Sequence, residues 1–98
     1  TALRLNAVAD SRTYQLRLKT PSIPQGIAYV AEFTTQPSVQ SYLFSQDMFS
    51  GRYRGNTVVN LPPLSFADVT HISIMLADKT AGPFQIALYS LSYTSLPE

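Results

Sequence analysis

Strict two-residue alternation, in short runs separated by turn formers, is the feature that most constrains how this chain folds. In "RTYQLRLKT", Tyr14, Leu16 and Leu18 fall on one side, and Thr13, Gln15, Arg17 and Lys19 on the other. That is the period of a half-buried strand. "LRLNAVA" puts Leu3 and Leu5 on one face. "IAYVAEFTT" puts Tyr29, Ala31 and Phe33 on one face, with Glu32 opposite. "VQSYLF" is a short strand ending near Phe44, and "THISIMLA" sets Ile72, Ile74 and Leu76 against His71, Ser73 and Met75. "FQIALYSLSYT" closes the chain as a long strand. No segment carries the periodicity of an amphipathic helix.

The breaks between these runs are equally legible. Asp10-Ser11 predicts a tight hairpin turn, and "TPSIPQG" and "QPS" predict loops. "SQDMFSGRYRGN" reads as a long loop with room for one helical turn. Pro62-Pro63 fits neither a helix interior nor a central strand. Phe66 to Val69 suits a single helical turn. "LADKTAGPF", residues 76 to 84, joins the last two strands as a hairpin, with Asp78 and Gly82 turning and Pro83 restarting extended chain. About seven short strands without an amphipathic helix predict an all-β, antiparallel β-sandwich forming one domain over residues 1–98. The apolar phases predict a core of Tyr14, Leu16, Leu18, Tyr29, Phe33 and Phe44. They extend it to Ile72, Ile74, Leu76, Phe84, Ile86 and Leu88.

Charged residues make up 13% of the chain, about half the usual share. A surface so sparing in charge is often covered by something else. The net charge of +1 gives no general drive toward nucleic acid or anionic membrane. The absence of cysteine excludes disulfides, thiolate metal sites and a cysteine nucleophile. No apolar run approaches the ~20 residues of a membrane span.

Few constellations carry chemistry. His71 is the only histidine, with Asp68 three residues before it. One histidine without cysteine is a poor metal set, so it reads as a solvent-facing strand residue. The carboxylates are Asp10, Glu32, Asp47, Asp68, Asp78 and Glu98, and only Glu32 lies within a predicted strand, without a facing partner for acid–base work. No nucleophile elbow, phosphate loop or dinucleotide glycine pattern is present. The reading is of no catalytic, metal or cofactor-binding residue. The sharpest local feature is "GRYRG", residues 51–55. Its Arg52, Tyr53 and Arg54 form a candidate interaction loop able to grip a phosphate, a carboxylate or a planar ring. The structural alternative is that Arg52 or Arg54 reaches back to a carboxylate or strand carbonyl and pins the loop.

Taken in order, "RTYQLRLKT", "AYVAEFTT", "GRYRG" and "PPLSFADVTHISIMLADKTAGPFQIAL" resemble the complex I intermediate-associated protein 30 family. The last stretch, with Pro-Leu, Ile-Ser-Ile, Ala-Asp-Lys and Gly-Pro-Phe in sequence, is the most specific. The chain departs from the family in having no Trp at the start of its fourth predicted strand, near Val39. The resemblance implies a galactose-binding-domain-like jelly roll without catalytic residues. It implies a non-enzymatic assembly factor or accessory subunit of a respiratory or photosynthetic membrane complex, with protein subunits as partners. The setting it implies is mitochondrial or plastid, or else the bacterial cytoplasm. It further implies that the chain is the C-terminal two-thirds of a longer domain lacking its first strands, whose exposed edge packs on a partner or on an upstream segment. The shared fold type keeps a carbohydrate-binding module as the alternative.

Overall fold

The computed structural model describes residues 2–54 and 56–94; Gly55 of the "GRYRG" motif and the carboxylate Glu98 lie outside the described residues. The described residues form eight strands: β1 Ala2–Val8, β2 Thr13–Lys19, β3 Ile27–Thr34, β4 Gln40–Phe44, β5 Ser50–Tyr53, β6 Asn56–Val58, β7 His71–Leu76 and β8 Ala87–Thr94. Single 3-10 turns occupy Gln46–Met48 and Phe66–Asp68, where the sequence leaves room for one turn of helix each. Two antiparallel sheets pack together as a β-sandwich. One has the order β4-β1-β8, the other β6-β5-β3-β2-β7.

The chain changes sheet after β1, β3, β4 and β7, which corrects two turn expectations. Asp10-Ser11 is not a hairpin tip. It carries the chain from β1 in one sheet to β2 in the other, with Ser11 at φ 68°. Residues 77–86 likewise cross from β7 to β8 rather than closing a hairpin. Turn-forming residues report a change of direction, and a hairpin and a crossover use the same ones. A third correction concerns "GRYRG". Ser50–Tyr53 is a strand, paired with β3 through Ile27↔Tyr53, Ala28↔Arg52 and Tyr29↔Gly51, and with β6 through Arg52↔Thr57. These strands are too short and too rich in glycine and polar residues to show alternation. Their neighbours in the sheet, not their own pattern, make them strands.

The core follows the alternation of β1, β2 and β3. Leu3, Leu5, Tyr14, Leu16, Leu18, Tyr29 and Phe33 are buried, as is Phe44. Aromatic rings run through the sandwich from Tyr14 through Phe33, Phe44, Phe49 and Phe66 to Tyr93, with neighbouring centroids 5.4–6.2 Å apart. The segment around Pro62-Pro63 packs over β3 and β5: Tyr29 Oη donates to the Pro62 carbonyl at 2.6 Å, and Leu61 lies against Gly51. At the start of β3, Gly26 sits at φ 91°, and a Cβ there would come within 3.0 Å of the Tyr53 ring. Conformation and space both demand glycine. Gly26→Ala is therefore expected to destabilise the chain by about 1–3 kcal/mol. A denaturant midpoint unchanged from the parent would show that the turn can relax.

The other half of the predicted core is corrected. Ile72, Phe84 and Leu88 are exposed at 42%, 59% and 55%, and Ile74, Leu76 and Ile86 are only partly buried against the core. Their phase is right. In register, Ile72, Ile74 and Leu76 stand beside Leu18, Leu16 and Tyr14, whose side chains face inward. What they lack is a layer opposite them, because three strands cannot cover five.

Candidate functional site

Among the described residues β7 pairs only with β2, and β8 only with β1. Each therefore has a free outer edge, and the two edges border one open trough of about 560 Å³. On the β7 side Ile72, Ile74 and Leu76 face it. On the β8 side Leu88 and Leu91 line it, with Leu5 and Tyr14 of the buried core at its floor. Leu88 and Leu91 stand opposite Ala7 and Leu5 of β1, so they lie on the inner face of their sheet. The trough is thus the sandwich interior continuing outward to solvent. Ser73 and Ser90 also border it, but they fall on the outer phase of their strands: Ser73 stands beside Arg17, and Ser90 Oγ accepts from Asn6 Nδ2 at 2.7 Å.

Natural edge strands are usually blunted by charge or proline. Neither "HISIML" of β7 nor "ALYSLSYT" of β8 contains either. These are also the longest of the four edge strands. A free edge of this kind offers its backbone N–H and C=O groups to another strand. The surrounding inner-face residues would then lose their exposed apolar surface at roughly 25 cal/mol per Å².

One end of the trough is fixed by a polar cluster that the sequence did not single out. Arg12 makes a two-pronged pair with Asp78: Nε donates to Oδ2 and Nη2 to Oδ1, both at 2.7 Å. Its Nη1 reaches the carbonyls of Gly82 and Pro83 at 3.2 and 2.9 Å, and Nη2 also reaches that of Thr80. Asp10 accepts from the Gln85 backbone N–H at 2.8 Å and from the Tyr14 hydroxyl at 3.0 Å. The two crossover loops are therefore tied together, which holds Phe84 and Ile86 at the trough's mouth. The only visible signal was a charged residue at each loop, in a chain with few charges to place.

This cluster titrates at low pH. The Arg12 guanidinium, with help from the Thr80 N–H, holds the Asp78 carboxyl down at about 2. Partial burial works against the Asp10 charge. The N–H of Gln85, the Tyr14 hydroxyl and the N–H of Arg12 outweigh it, so its pKa also lies below the ordinary value. Depressed carboxyl values stabilise the fold above the unfolded-state pKa of about 4. That contribution is lost as pH falls toward 2. Asp78→Asn is expected to lower the melting temperature at neutral pH and to flatten its fall between about pH 4 and 2. A parallel pair of Tm–pH curves would show that the ion pair does not hold the loop.

The three residues of the candidate interaction loop take up the end of β5 and the turn after it. Arg52 lies within β5 on the outer face of the five-stranded sheet, with Nε 3.3 Å from Ser50 Oγ. Tyr53 ends the strand with its ring against Gly26. Arg54 opens the turn into β6 at φ 49°, its guanidinium 5.3 Å from the Tyr53 ring centroid. Neither arginine pins its loop to a carboxylate. The one ion pair among the described residues is Arg12–Asp78. His71 is exposed on β7 with Nδ1 2.9 Å from Thr70 Oγ1, and Asp68 sits in a 3-10 turn without a bond to it. Among the described residues no three His, Asp or Glu side chains are grouped to hold a metal, and no helix is long and apolar enough to cross a membrane.

No curated protein and no solved structure gives a significant match to the chain. A family model does: the one described as complex I intermediate-associated protein 30 (CIA30) matches residues 1–88.

Proposed function

The chain belongs to the complex I intermediate-associated protein 30 family, and on that premise we propose that it is a non-enzymatic interaction module. It serves as an assembly factor or accessory subunit of a large respiratory or photosynthetic membrane complex. The observation that carries this reading is the open trough between β7 and β8, where inner-face side chains and two unprotected strand edges meet. An extended segment of a protein subunit fills it by strand addition. A small apolar ligand would cover the side chains and leave both backbone edges unpaired, so a strand satisfies more of the site. The competing occupant is a strand from upstream in the protein's own chain, which would complete a longer family domain.

The carbohydrate-binding alternative asks for hydroxyl partners beside a ring. The trough has rings in Tyr14, Phe84 and Tyr89, but its walls are otherwise aliphatic, with no amide or charged side chain to take sugar hydroxyls, and sugar recognition finds little support there.

The test is removal of the gene followed by native gel electrophoresis of membrane complexes. A complex I intermediate, or its counterpart in a photosynthetic complex, is expected to accumulate while the mature complex falls. Unchanged levels of both would overturn the assembly reading. Binding to a glycan array with no change in any membrane complex would favour the carbohydrate module.

A further inference from the structure

Cations are distributed unevenly over the sandwich. On the outer face of the five-stranded sheet, away from the trough, lies a second depression of about 440 Å³. Arg17 of β2, Arg52 of β5, Arg54 of the β5–β6 turn and Lys79 after β7 surround it. These are four of the seven lysines and arginines in the chain. A single carboxylate, Glu32, accompanies them. None of the four has a carboxylate within 4.0 Å among the described residues, since the ion pair there is Arg12–Asp78. Arg17 is instead oriented by a neutral neighbour, its Nη1 donating to Gln15 Oε1 at 2.9 Å.

Two further features bear on what this face holds. Arg54 and Lys79 both occupy left-handed backbone positions, φ 49° and 57°, where glycine or asparagine is the ordinary choice. Turn geometry therefore does not account for the cations. In addition, Met75 and Ala77 line the depression beside Lys79, so it offers contact to aliphatic stems as well as charge.

From this charge complementarity we infer that the outer face binds an acidic, extended segment of a protein partner, with carboxylates at alternate positions. Arg17 and Arg52 stand on strands separated only by β3, opposite its Val30 and Ala28, so their backbones are roughly 12 Å apart. Flexible arginine side chains close that span to the roughly 7 Å between alternate residues of an extended peptide. Arginine takes a carboxylate with two parallel hydrogen bonds. A phosphate backbone fits less well. Among the described residues no aromatic ring lines the depression to stack a base, and a net charge of +1 provides no long-range attraction to a long polyanion. The inference rests on the interaction-module reading, yet it concerns a different face from the trough.

The test is fluorescence anisotropy of the full chain with a labelled peptide of alternating Glu and Ser, which has no apolar side chain to enter the trough. A Gln–Ser peptide and a single-stranded oligonucleotide serve as comparisons. The Glu–Ser peptide is expected to bind more tightly than either, and more weakly as salt rises. Arg52→Glu and Arg54→Glu are each expected to weaken it by at least about tenfold. Arg4→Glu, on the other sheet, should change it little. Arg54 lies at an exposed turn, so its variant keeps the test valid if Arg52→Glu fails to fold. No binding, equal binding of the Gln–Ser peptide, tighter binding of the oligonucleotide, or an equal loss in Arg4→Glu would each overturn the inference. None of those results bears on the trough, whose role is read from the membrane complexes.

Discussion

A carboxylate on each lip of the trough, in the double variant Ile72→Asp and Leu88→Asp, is expected to abolish rescue of complex assembly while leaving the free chain folded. Ile72 and Leu88 are 42% and 55% exposed, so in the unoccupied chain both new charges remain hydrated and stability changes little. Once a strand fills the trough, the same charges are buried without partners. Burying an unpaired charge costs several kcal/mol, and even about 3 kcal/mol weakens binding more than a hundredfold. The measurement is paired: native gels of cells carrying the variant, and thermal melts of the purified protein. Full rescue of assembly would remove the trough from the function. A collapse of the melting temperature would place the trough inside the protein's own core, filled by upstream chain.

The alternation made the sheets legible, and it also fixed which side of each strand is apolar. Leu16 and Ile74 illustrate what it could not reach. Both are on the inner phase, and they stand side by side in the β2–β7 register. Leu16 is buried and Ile74 only partly so, because burial depends on the opposing layer. That layer is set by strand order, which local pattern does not encode. The crossovers were hidden for the same reason: Asp10-Ser11 and Asp78-Lys79 are turn formers whether the next strand joins the same sheet or the other. The Arg12–Asp78 pair spans 66 positions, beyond any spacing rule. Of the proposed sites, "GRYRG" gave a sequence signal. The distribution of its arginines with Arg17 and Lys79 emerged only when β5, β2 and the end of β7 shared one face.

The difference between Leu16 and Ile74 supplies the second large effect. Leu16→Ala removes a fully buried side chain flanked in register by Ala31 and Ile74, and is expected to cost about 2–5 kcal/mol. Against the 5–15 kcal/mol typical of a whole domain, that loss lowers Tm by roughly ten degrees or more. Ile74→Ala, one strand over on the same face, should cost about half as much in the free chain, since part of its surface is already in water. Urea titrations of the two variants measure both values. Repeating them with the trough occupied gives the decisive comparison. A strand laid along β7 buries the remaining surface of Ile74, so its penalty should rise toward that of Leu16 while the Leu16 penalty stays constant. Equal penalties in the free chain would mean that the trough is already closed in solution. An Ile74 penalty unmoved by the partner would mean that the partner binds elsewhere.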